Sequence, residues 1–158
     1  MLDPRRVALE VLGEKIELLP EGCVHWPRRR SLILADCALA SPQDWRLLAR
    51  AVFDTRAERV LVIGEPRGAP PKFPAALTRV DGIVEDRFMF RQRPAAYPDV
   101  FVWCGHLQPR HWGRPAFYLR PETCILPDFG GRGEGLEVRS APGERLYAIE
   151  RGCVVEPG

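Results

Sequence analysis

Two nearly unbroken apolar runs, Ser31-Leu32-Ile33-Leu34-Ala35-Asp36 and Arg59-Val60-Leu61-Val62-Ile63-Gly64, bracket one amphipathic stretch. A strand that is apolar at almost every position is buried on both faces, as a central strand of a parallel sheet is. Between the runs, Ser41-Pro42-Gln43-Asp44 has the marks of a helix start: Ser41 can cap, Pro42 suits the first helical position, and Asp44 sits in the first turn. Trp45, Leu48, Ala49, Val52 and Phe53 then recur at helical spacing, and the helix is expected to end near Thr55-Arg56. Strand, helix and strand in this order make a βαβ unit, which predicts a parallel sheet.

Residues 7–12 and 15–19 flank Gly13-Glu14 and predict an opening hairpin. Cys23-Val24-His25-Trp26-Pro27 predicts a short strand, followed by a basic turn, Arg28-Arg29-Arg30, expected to be a solvated loop. Gly68-Ala69-Pro70-Pro71-Lys72-Phe73-Pro74 is a proline-rich connection that breaks any long helix. Residues 82–90 predict two short strands around a turn, and residues 99–105 a buried strand. Residues 115–120, 123–127 and 145–155 predict further strands, with residues 130–135 as a flexible loop. The second half is therefore β-rich. At 158 residues, with neither repeat nor linker, the chain is expected to form one domain over residues 1–158.

A net charge of +2 is too small by itself to argue for nucleic acid. No apolar run approaches the length of a membrane span, and Met1-Leu2-Asp3-Pro4-Arg5-Arg6 lacks the apolar core of a signal peptide. A cytoplasmic location with no membrane partner is the expectation. Cys23, Cys37, Cys104, Cys124 and Cys153 are odd in number and form no C-x-x-C pair, which argues against structural zinc or a disulfide framework. Cys37, Cys104 and Cys124 sit in or beside apolar strand-like runs and are expected to be buried, reduced thiols. His111-Trp112 with Arg110 and Arg114 combines aromatic and basic groups as single-strand binders do. No serine stands in a nucleophile-elbow pattern.

Three short segments carry more chemistry. Asp36 lies in Leu34-Ala35-Asp36-Cys37-Ala38-Leu39-Ala40, Glu65 in Val62-Ile63-Gly64-Glu65, and His106 in Cys104-Gly105-His106-Leu107-Gln108-Pro109. In order and strand context these resemble the Asp-x-His-x-Gly, Gly-Asp and Gly-His-x-His-Pro motifs of the calcineurin-like metallophosphoesterases. Ala38 and Gln108 stand at His positions, and Glu65 at an Asp position. The chain is more closely similar to the bacterial ligase-associated DNA-damage-response endonucleases. Trp26-Pro27, Pro115-Ala116-Phe117-Tyr118-Leu119-Arg120-Pro121, Leu126-Pro127-Asp128-Phe129-Gly130 and Arg145-Leu146-Tyr147-Ala148-Ile149 carry that likeness, over roughly residues 20 to 152. The family's Gly-Asn-His-Asp segment has no counterpart, because nothing between Glu65 and Val84 is Asn or His. Its next ligating His would fall in Arg91-Gln92-Arg93-Pro94.

The resemblance implies an α/β fold: a shortened metallophosphoesterase-like sandwich of two sheets flanked by helices, in four layers, αββα. It also implies a DNA-repair setting, with DNA or repair proteins as partners and a homo-oligomer possible. A two-metal phosphoesterase needs cations about 3.5–4 Å apart, held by carboxylates and imidazoles. By residue-to-residue carry-over, a vestigial set of Asp36, Glu65 and His106 remains, enough for no cofactor or for one weakly held Mn²⁺ or Mg²⁺. Arg91, Arg93 and Arg110 are candidate phosphate-binding residues instead. The leading expectation is a catalytically inactive scaffold or a phosphate- or DNA-binding module. The alternative is a residual metal-dependent phosphodiesterase or phosphatase, to which Asp128, Asp81 and Glu85 could contribute if the fold brings them near Asp36. A third reading is a structural partner that pairs through a sheet edge.

Overall fold

The computed structural model describes residues 3–35, 41–64, 72–131 and 134–157. Asp36, Cys37, Ala38, Glu65 and most of the proline-rich connection lie outside them. The opening hairpin is β1 (Val7–Val11) and β2 (Glu14–Leu18), joined by Leu12 and Gly13, both at positive φ. The chain continues through β3 (Val24–Trp26), β4 (Ser31–Ala35), α1 (Pro42–Thr55), β5 (Arg59–Ile63) and β6 (Ala76–Val80). These six strands form one sheet in sequential order, antiparallel from β1 to β4 and parallel from β4 to β6. The expected parallel unit is therefore present.

A turn at Asp81-Gly82 starts the second sheet. Its strands are β7 (Ile83–Glu85), β8 (Phe88–Arg91), β9 (Phe101–Cys104), β10 (Arg110–His111), β11 (Arg114–Leu119), β12 (Thr123–Ile125), β13 (Arg145–Glu150) and β14 (Cys153–Val155). Their order is β14-β13-β11-β12-β9-β8-β7, with β10 paired to β11. At its centre β8, β9 and β12 are parallel.

Alternation decides which side chains fill the space between the sheets. Ile33 and Ala35 of β4 and Leu61 and Ile63 of β5 face inward, against Phe88, Phe90, Trp103, Phe117 and Tyr147 of the second sheet. Trp26 crosses the gap to Phe88 with ring centroids 4.7 Å apart, and Phe88 meets Trp103 edge-on at 5.4 Å. Such pairs each add about 0.5–1.5 kcal/mol beyond the area they bury. Leu32, Leu34, Val60 and Val62 point the other way, onto Trp45, Leu48, Ala51 and Val52 of α1.

The four-layer expectation is not met. Among the described residues α1 is the single α-helix, and it covers one sheet. On the outer face of the other, Val102, Cys104 and Ile125 are packed by Met89, Val100, Leu107 and Tyr118, which belong to strands and connections. The described residues are mostly β and form three layers. The reason lies in the crossovers. The β8–β9 connection contains Pro94 and Pro98, which break any helix of that length, and the β9–β12 connection is spent on the β10–β11 hairpin.

Ion pairs staple the two sheets at the end where β5 and β8 begin. Arg59 forks onto both oxygens of Glu85 at 2.7 and 2.6 Å, while Arg28 and Arg29 both reach Asp86. The basic turn is thus engaged with acids and is not a simple solvated loop; Arg30 also pairs with Glu58. No helix among the described residues is long and apolar enough to cross a membrane.

Candidate functional site

At the opposite end, where β4, β5, β8 and β9 finish, the two sheets converge. A short parallel bridge joins Ala35 at the end of β4 to Asp128, and the Phe129 amide donates to the Ala35 carbonyl at 3.2 Å. Gly64, just past β5, faces the Gln92 side chain. The Gly105 amide, just past β9, donates to the Gln92 carbonyl at 3.2 Å. Ala35, Gly64, Gln92, Gly105 and Asp128 therefore form one rim. Carboxyl ends of parallel strands are where open α/β sheets bind ligands.

His106 lies on this rim, exposed, with φ at 80°; Gln108 follows with φ at 48°. Two non-glycine residues in the left-handed region within one turn cost free energy, and such strain gathers at functional sites. The turn is held from behind. The Leu136 amide donates to the Leu107 carbonyl at 3.2 Å, and Gly135 lies so close that a Cβ there would sit 1.8 Å from the Gln108 carbonyl oxygen.

The three candidate arginines have different fates. Arg110 is buried: its Nη2 donates to Asp128 Oδ1 at 3.1 Å and to the Gly131 carbonyl at 3.3 Å, and its Nη1 to the Gly113 carbonyl at 3.2 Å. That guanidinium is committed to the protein. Arg91 ends β8, half-exposed, 4.0 Å from Asp81 and stacked over Tyr97 with 5.9 Å to the ring centroid. Arg93 is exposed.

Of the spare acids, Asp128 is brought beside Ala35, the residue before Asp36, but its carboxylate is engaged by Arg110. Asp81 accepts from the Gln92 amide at 3.3 Å. Glu85 belongs to the staple at the far end. Asp36 and Glu65 themselves lie outside the described residues. Among the described residues no three His, Cys, Asp or Glu side chains group as metal ligands would. The rim offers neutral amides at Gln92 and Gln108 and a carboxylate already paired with a guanidinium.

The sequence gives Gly135 only as part of a flexible loop and Asp128 as a spare acid. The Arg110–Asp128 pairing had no local signal, since the partners are brought together by β-sheet pairing. Burial pushes the Cys23 and Cys124 thiols well up, so these are inert core residues, and Cys104 is buried as well. His25 is structural too, its Nδ1 2.5 Å from Glu17 Oε1. A cavity of about 430 Å³ is lined by Arg120 and Thr123, where β12 begins, and by Pro94, Ala95 and Ala96, which follow Arg93.

No protein-family model matches the chain, and no curated protein matches it. Among solved structures, the crystal structure of Pseudomonas putida nuclease MPE superposes with a TM-score of 0.81. Identity is 19%, and the match covers 96% of this chain and 100% of that one. The chain has the fold of that nuclease. The four-layer sandwich expected from the sequence is not the arrangement found.

Proposed function

We propose that this protein binds nucleic-acid phosphate with arginine side chains at the rim where β4, β5, β8 and β9 end, and does not hydrolyse it with a metal pair. The observation that carries this is the buried Arg110–Asp128 pair beside the end of β4. An internal cation holds the acid that is bridged to the end of β4, and Gln92 and Gln108 supply no imidazole. With Arg110 committed, phosphate contacts fall to Arg91 and Arg93, which remain accessible at the end of β8. A guanidinium is always charged and can grip a phosphate through two parallel hydrogen bonds. The nuclease fold supports nucleic acid as the ligand, and the likeness to the ligase-associated subgroup supports a place in DNA repair, as a binding or scaffold module.

Anisotropy of a labelled single-stranded oligonucleotide, in chelator and at several salt concentrations, tests this. Binding without metal is expected. Arg91→Ala with Arg93→Ala should weaken it about tenfold or more and flatten the salt dependence by about one to two phosphate contacts. Unchanged binding in that double variant would refute the proposal.

The rival is a one-cation phosphodiesterase using Asp36, Glu65 and His106. The bridge that brings Asp128 next to Ala35 favours it, because it supplies another acid near that position. Mn²⁺-dependent strand cleavage that disappears in Asp36→Ala would decide for the rival.

A further inference from the structure

The chain has four tryptophans, and three of them are buried: Trp26, Trp45 and Trp103. Trp112 is 77% exposed. It sits at the tip of the β10–β11 hairpin, with φ of 52° at Trp112 and 76° at Gly113, the tight reversal that two-residue hairpins use.

The polar groups of this tip are occupied. The Trp112 amide donates to one oxygen of Glu137, and the Gly113 amide to the other at 3.1 Å. The Gly113 carbonyl accepts from Arg110 Nη1 at 3.2 Å. The Arg110 amide donates to the Leu136 carbonyl at 2.8 Å, and the Val138 amide to the Arg110 carbonyl at 2.9 Å, so residues 136–138 brace β10 along its length. A backbone fixed in this way loses little entropy when the tip binds something. What it presents is one large indole, with the His111 ring edge-on to it at 6.1 Å.

Position gives the indole a role. Two residues back along the strand, about 7 Å at ordinary strand rise, the Arg110 side chain reaches Asp128 on the site rim. His106 and Gln108 lie in the turn that leads into the same strand. An apolar residue this exposed gains nothing for the fold; a flat one on a fixed backbone, in the hairpin whose Arg110 reaches the rim, suits a nucleobase.

We infer that Trp112 is a stacking platform for an unpaired base of single-stranded nucleic acid whose backbone crosses the rim. This rests on the nucleic-acid reading above and adds the strandedness of the ligand. Stacking of a base on an aromatic side chain tolerates any base, because every base has a π-face. It requires unpaired bases, and it neutralises no phosphate.

The test titrates a short oligothymidylate, about 12 nucleotides long, and an abasic strand of equal length. Readouts are anisotropy and intrinsic fluorescence, in which the exposed indole of Trp112 is the component open to iodide quenching. Oligothymidylate should shield that component. Trp112→Ala should weaken its binding about tenfold, with the salt slope unchanged, and Trp112→Phe should restore most of the affinity. The abasic strand should bind wild type and Trp112→Ala equally and more weakly. Wild-type affinity for oligothymidylate in Trp112→Ala would overturn the stacking role while leaving the phosphate proposal standing. An abasic strand bound as tightly as oligothymidylate would do the same. No binding of either strand by wild type would remove both. Conversion of a dimer to a monomer by Trp112→Ala in sedimentation would overturn the inference in favour of contact between copies. Unfolding midpoints check that each variant is folded; if the alanine form is not, Trp112→His, a smaller ring, carries the comparison.

Discussion

Arg110 and Asp128 are both nearly closed to water, with side-chain exposures of 11% and 5%. Removing two charges from water costs several kcal/mol per ion, so the pair is a poor source of net stability, yet breaking it strands a buried charge. Asp128→Ala is therefore expected to lower the unfolding free energy by about 3–5 kcal/mol. The double variant Arg110→Met with Asp128→Leu should recover most of that loss. Urea denaturation of the two single variants and the double variant measures the coupling; single variants that cost as little as surface substitutions would show that the pair does not organise the site. At this scale the sequence was informative about chemistry and poor about partners. Arg110 was picked out as a phosphate ligand because it follows the Gly-His-x-x-Pro turn, and no spacing rule could show that residue 128 had already claimed it. Cys104 and Cys124 were legible, since apolar neighbours on both sides place a thiol in the core; Cys37 lies outside the described residues.

The turn from Gly105 to Pro109 depends on the segment behind it. Gly135 has no room for a side chain, because a Cβ would overlap the Gln108 carbonyl oxygen. Gly135→Ala must push residues 134–136 and the turn apart, at a cost of about 1–3 kcal/mol if it resembles other overpacked sites. It should also weaken oligonucleotide binding, because the displaced segment 136–138 braces the strand that carries Trp112. Thermal unfolding and anisotropy on the same variant check both halves; an unchanged melting temperature would mean that the segment does not brace the turn. Among the elements, α1 was the plainest in the sequence. Its Ser41 Oγ accepts from the Asp44 amide at 3.3 Å, and Arg56 closes it in the left-handed conformation. β6 and β10 were not foreseen. β6 is a largely exposed edge strand between Pro74 and Gly82, and β10 is two residues long, so neither has enough apolar alternation to register. Both exist because a neighbouring strand supplies their hydrogen bonds.

The stapled end of the whole molecule carries a pH dependence. Arg59, through its fork, holds the Glu85 carboxyl below the ordinary range, Arg29 and Arg28 do the same for Asp86, and Arg28 for Glu14. A carboxyl lowered in the folded state adds stability that is complete above its unfolded value and fades as pH falls through the folded one. Arg59→Met should therefore destabilise by up to about 1 kcal/mol at neutral pH, as partly exposed pairs do. The difference from wild type should shrink in acid once Glu85 is protonated. Denaturation curves at a series of pH values test this; a difference that persists in acid would assign the loss to packing. The sequence by itself determined the strands of β4 and β5, the helix between them and their parallel pairing, because burial on both faces and helix capping are written in adjacent residues. The tertiary structure decided the three-layer arrangement, because prolines and a hairpin occupy crossovers where a helix was expected. It decided as well that Arg110 is an internal cation and that Trp112 stands in solvent. Those outcomes depend on which distant strands pair, and pairing is settled by the burial of the whole chain and not by any one segment.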